Sequence, residues 1–170
     1  FESRINSEYV ILDRQYAGHE KKEGQFDLVA VKWPRENRSR NHTGCLALIE
    51  VKYDLNPDIK DLANQIGRYY SYLRQGQNMK SLCEDMKKVL EQKLELGLVS
   101  GTTKEQRGQL GQLTIDTKLK SAEIIVYLVD YNPNSRLLAE PKLKKLPFAD
   151  QVRIVHTGFA MWKQNLKSLD

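Results

Sequence analysis

The sequence predicts a single α/β domain in which a mixed sheet carries helices. Three observations predict it. Residues 8–53 hold three apolar, β-branched runs separated by polar turns, and residues 57–97 hold two stretches of helical periodicity. Two further strand-like runs follow within residues 123–156. The order strands, helices, strands is that of an α/β sandwich with a central mixed sheet flanked by helices.

The first run, Glu8 to Tyr16 (EYVILDRQY), alternates Val10 and Leu12 against Tyr9 and Ile11 and reads as a strand. A polar turn, Gly18 to Gly24, leads to Phe26 to Trp33 (FDLVAVKW), a second strand ended by Pro34. The basic stretch Arg35 to Gly44 is a loop, and Leu46 to Tyr53 (LALIEVKY) is a third strand, so the three form an antiparallel meander. Asn56-Pro57 is a helix start, because asparagine caps free backbone N–H groups and proline is tolerated at the first helical position. Ile59, Leu62, Ala63, Ile66, Tyr70 and Leu73 then make one apolar stripe, ended by Gly76. Met79, Leu82, Cys83, Met86, Leu90 and Leu94 make a second, stopped near Gly97. Ser100 to Gly111 reads as a polar loop, Glu123 to Tyr131 as a central apolar strand, and Asn132 to Asp150 as a long connection with an exposed KLKK run. Gln151 to His156 is a last strand, and Gly158 to Leu166 closes the chain in an element of no clear type.

Bulk properties exclude little. Of 170 residues, 40% are apolar and 29% charged, enough for a buried core. A net charge of +5 is compatible with a polyanionic partner without demanding one. The longest apolar runs, Leu46 to Ile49 and Ile124 to Val129, fall far short of the ~20 residues of a membrane span. No signal-peptide pattern is present, so a cytoplasmic or nucleoid-associated protein is expected. Cys45 and Cys83 lack metal-site spacing and read as reduced core residues. A start at Phe1 fits an excised domain.

The informative feature is Asp27 near the start of one strand, followed by Glu50-Val51-Lys52 at the end of the next. Side chains alternate faces along a strand, so Glu50 and Lys52 point the same way, in line with Leu46 and Leu48. Charges placed in line with buried leucines are costly unless paired or functional. In an antiparallel hairpin the start of one strand lies beside the end of the next, which brings Asp27 to them. Two carboxylates, with the Val51 carbonyl as a third oxygen, suit Mg²⁺ or Mn²⁺, and an adjacent ammonium suits a developing phosphate charge.

FDLVAV followed by LIEVKY resembles the PD-(D/E)XK nuclease superfamily over roughly Glu8 to Tyr72, with Phe26 at the position of the namesake proline. The resemblance implies a restriction-endonuclease-like fold and metal-dependent hydrolysis of phosphodiesters, with DNA as the expected partner. Asp27 and Glu50 would be metal ligands and Lys52 the catalytic lysine. Gln65, in NQIGRYY, matches a glutamine that completes the site in several branches, and Glu8, more than Glu2, would be an additional acidic ligand. Lys32, Arg35, Arg38 and Arg40 in and beside the basic loop, with Arg68 and Tyr69 on the helix, are candidate nucleic-acid contacts. A homodimer would suit cutting of both strands of a duplex. The alternative is a non-catalytic module that binds nucleic acid or protein on the same fold.

Overall fold

The computed structural model describes residues 8–17, 25–34, 38, 43–53, 56–99, 102–131, 136–158 and 165–168. Seven strands form one mixed sheet, β1 (Tyr9–Ala17), β2 (Gln25–Lys32), β3 (Thr43–Tyr53), β4 (Thr114–Asp116), β5 (Glu123–Val129), β6 (Val152–Thr157) and β7 (Asn165–Ser168). Six lie in the order β1-β2-β3-β5-β6-β7, and the short β4 pairs with the early part of β3. The meander β1-β2-β3 is antiparallel, β3, β5 and β6 are mutually parallel, and β7 returns antiparallel to β6. Parallel neighbours need crossovers. The first, between β3 and β5, carries helices α1 (Leu62–Arg74), α2 (Asn78–Glu95) and α3 (Lys104–Gly111), and the second carries α4 (Glu140–Lys144).

Glycine marks both helix exits, where Gly76 and Gly97 take φ of 50° and 68°, a region that disfavours any residue with a Cβ. The Asn56 side chain accepts from the Asp58 N–H at 2.8 Å, but the turn it opens, Pro57–Asp61, is a 3₁₀ helix, and α1 proper starts at Leu62. Residues 104–111, expected as loop, are helical. Thr103 and Gln106 form a capping box, each side chain meeting the other's backbone N–H, and this local pairing offsets the weak apolar periodicity. Within the 132–150 connection, α4 buries Leu143 and leaves Lys142, Lys144 and Lys145 exposed.

The main core lies on one face of the sheet. Leu46, Leu48, Val126 and Ile154 from the strands meet Ile66, Leu82, Leu110 and Leu143, so α1 to α4 all contribute to that face. The opposite cluster, Ala30, Ala47, Ile49 and Ile125 with partly buried Leu28, Val51 and Tyr127, draws on strand residues alone. Among the described residues the domain is therefore two layers, rather than a sheet flanked by helices on both faces. No described helix is long and apolar enough to cross a membrane. Both cysteines are free, and burial pushes the Cys45 thiol up to about 11 and the Cys83 thiol up to about 12, so both stay protonated at neutral pH.

Gly44 in β3 is required by close packing. A Cβ there would stand 2.7 Å from the Lys32 carbonyl oxygen and 2.9 Å from Val31 Cγ2. Gly44→Ala is expected to destabilise the domain by ~1–3 kcal/mol, because the nearest atom is backbone and cannot rotate away. Urea denaturation checks this; an unchanged midpoint would show that β2 and β3 separate freely at this end.

Candidate active site

Sequence alternation and sheet order bring the expected residues to the end of β3. Leu28–Ile49 is the last β2–β3 pair, and beyond it the two strands part, β2 reaching back to Gln25 and β3 running on to Tyr53. The Val51 N–H, left without a strand partner on that side, donates to Asp27 Oδ2 at 2.8 Å. A residue's N–H and C=O point to the same edge of a strand. The Val51 carbonyl thus faces the edge at which the Asp27 carboxylate sits. A kink in the hairpin assists: Gln15 has φ of 53° and lies between the pairs Arg14–Leu28 and Tyr16–Phe26. Across that kink Leu28 belongs to the strand-only cluster, whereas Phe26 is turned into the main core.

Glu50 is 1% exposed and is held by three donors. Lys52 Nζ is 2.6 Å from Oε1, and Gln65 Nε2 donates to the same oxygen at 2.6 Å. The Tyr69 hydroxyl donates to Oε2. Gln65 also donates to the Tyr69 oxygen at 3.3 Å, which links the two helical residues one turn apart. Burial first, then the hydrogen bond to Glu50 and its charge, raise the Tyr69 phenol well above its ordinary value, so Tyr69 stays a donor. Lys52, 9% exposed, lies on the same face as Glu50, on the α1 side with Leu46 and Leu48, as period two requires.

Asp27, Glu50, Val51, Lys52 and Gln65 thus share one end of the sheet, as the sequence led us to expect. The other candidate residues lie elsewhere or have other partners. Glu8 lies at the opposite end of the hairpin, where its carbonyl accepts from the Trp33 N–H at 2.6 Å. Trp33 is six steps along the chain from Asp27, about 20 Å at ~3.3 Å per step, so Glu8 is no ligand at this site. Tyr69 does not offer its ring for stacking on bases. It is 4% exposed, with Phe26 edge-on to it at 4.7 Å. The stripe of α1 is rotated towards Tyr69 and Tyr72, both buried, and Tyr70 instead stacks on Phe148 at 4.0 Å.

Lys32 belongs to the other face of the sheet. It pairs with Glu123 at 2.8 Å, and the Tyr9 hydroxyl donates to the other Glu123 oxygen at 2.8 Å. Sequence reasoning missed this cluster, although a glutamate opening the apolar run IIVYLV was its signal. Arg38 lies over the Trp33 ring at 4.5 Å and donates to the Trp33 carbonyl. Arg35 and Arg40 lie outside the described residues. Arg68 is exposed on α1, with Asp61 3.9 Å away.

Among the described residues no three His, Cys, Asp or Glu side chains gather into a ready metal cage. The donors at the end of β3 are of a more open kind, two carboxylates and one backbone carbonyl. All are hard oxygens, which is the donor chemistry that Mg²⁺ and Mn²⁺ take. For Glu50 to offer Oε1 to a cation, the Lys52 ammonium has to give it up, while Gln65 can remain on the second lone pair. No protein-family model, curated protein or solved structure matches the chain, so the site is read from its own geometry.

Proposed function

We propose that this chain is a divalent-metal-dependent nuclease of the PD-(D/E)XK type, with a restriction-endonuclease-like fold, hydrolysing phosphodiester bonds in DNA. One observation carries the reading: a buried glutamate and lysine 2.6 Å apart at a strand end, beside an aspartate that takes the neighbouring backbone N–H. Asp27, Glu50 and the Val51 carbonyl would hold Mg²⁺ or Mn²⁺, which when bound supplies Lewis acidity at a phosphoryl oxygen and makes its water more acidic. Lys52, released from Glu50 Oε1, orients the attacking water and offsets negative charge growing on the phosphate. Gln65 and Tyr69 fix the Glu50 carboxylate, so its direction does not depend on Lys52 alone.

A second reading has one observation in its favour. Both Glu50 carboxylate oxygens already accept from protein donors, which suits a non-catalytic module that binds nucleic acid on the same sheet. Incubation with supercoiled plasmid separates the two. Nicking and linear product are expected with Mg²⁺ or Mn²⁺ and none with EDTA. Plasmid bound but uncut at millimolar Mg²⁺ and Mn²⁺ alike would replace the nuclease with the binding module.

A further inference from the structure

A groove of about 600 Å³ runs along α1, between it and the turn Leu146–Phe148, at the margin of the main core. One wall is α1, where Asn64, Arg68, Ser71 and Arg74, three or four residues apart, share a face with Gly67 and are flanked by Ala63 and Tyr70. The other is the turn Leu146–Phe148, pinned to α1 where Phe148 stacks on Tyr70 at 4.0 Å. Two arginines line the groove and no carboxylate does. Asp61, 3.9 Å from Arg68, is exposed together with it, and such a pair competes only weakly with another anion.

Gly67 is the second, independent observation. It sits inside α1, where glycine is the poorest helix former after proline, and it needs no left-handed backbone. A Cβ built on it would meet nothing within 4 Å. Packing within the domain therefore does not call for glycine here, and the fold would be firmer with almost any other residue. What a missing side chain does provide is close approach of a ligand to the helix at the floor of the groove.

We propose that this groove holds consecutive phosphates of a nucleic-acid strand, with Arg68 and Arg74 as the charged contacts and Gly67 as the point of closest approach. The proposal rests on the nuclease reading for the identity of the polyanion, and it assigns the surface along which the strand reaches the catalytic end of β3. From Asn64 to Arg74 the helix rises ~15 Å, the axial span of about four to five nucleotides at ~3.4 Å each. Asn64 is the neighbour of Gln65, and Arg68 lies one turn on, so α1 presents the groove on one side and holds Glu50 with the other.

The test reads binding apart from cutting. Fluorescence anisotropy of a labelled 20-nucleotide single strand, and of its duplex, is measured in EDTA for wild type, Gly67→Leu and the double variant Arg68→Ala/Arg74→Ala. Gly67→Leu is expected to keep or raise the thermal midpoint yet weaken binding at least tenfold, a combination that a purely structural glycine would not give. The double arginine variant should weaken binding and flatten its salt dependence by about two phosphate contacts. The arm that wild type binds more tightly identifies the strand form. Unchanged affinity in both variants, or no binding of either oligonucleotide by wild type, overturns the groove. If wild type cuts plasmid and Gly67→Leu cuts and binds equally well, the groove fails while the nuclease stands. If wild type binds but never cuts, and Gly67→Leu loses binding, the nuclease fails while the groove stands.

Discussion

Lys52→Met is expected to lower the rate of Mg²⁺-dependent plasmid cleavage by about 10²–10³-fold, the usual effect of removing one preorganised charge-stabilising donor from a transition state. Methionine keeps the apolar stem that packs in line with Leu48 and removes only the ammonium. Loss of fold is the competing explanation, because Glu50 is 1% exposed and the change strips its cation. Breaking a buried ion pair costs ~3–5 kcal/mol in general. The lower end applies here, since Gln65 and Tyr69 still donate to the carboxylate. Cleavage is therefore compared at a temperature where circular dichroism shows both proteins folded. A variant that is folded and cuts as fast as wild type would remove Lys52 from the mechanism.

The parts of this site that were legible in the sequence are those set by short-range geometry. Period two placed Glu50 and Lys52 on one face with Leu46 and Leu48, and the hairpin placed Asp27 beside them. One helical turn placed Gln65 near Tyr69, and the two meet at Glu50. Glu8 failed for a reason also contained in the hairpin. A residue at the start of β1 pairs near the end of β2, so it cannot share an end with Asp27. Tyr69 and Tyr70 are adjacent, and choosing which faces inward needs the helix rotation to better than ~100°. That rotation was decided by Phe26 and Tyr16, aromatic partners from strands far away in sequence. Lys32 found Glu123, 91 positions on, across a parallel crossover that no local pattern reports. The α3 helix is hidden by its weak apolar pattern, although the sequence carries its capping box, Thr103 with Gln106.

The largest stability effect follows from the same cluster and tests whether it exists for folding or for function. Three polar side chains, Glu50, Lys52 and Tyr69, are buried among Leu48, Ile66 and Phe26. Desolvating an ion pair often costs more than its attraction returns, and apolar groups of similar volume can then be neutral or stabilising by ~1–4 kcal/mol. The triple variant Glu50→Leu/Lys52→Met/Tyr69→Phe removes the pair together with the hydroxyl that would otherwise lose its acceptor, and the half-buried Gln65 amide, which loses both of its acceptors, turns to water. It is expected to be inactive and at least as stable as wild type in urea, by up to ~3 kcal/mol, whereas Lys52→Met alone loses stability by ~3 kcal/mol. Active sites are places where stability is given up for chemistry. A triple variant that unfolds well before wild type would mean that the charged cluster is there to hold β3 against α1, and the catalytic reading of Glu50 and Lys52 would lose its physical basis.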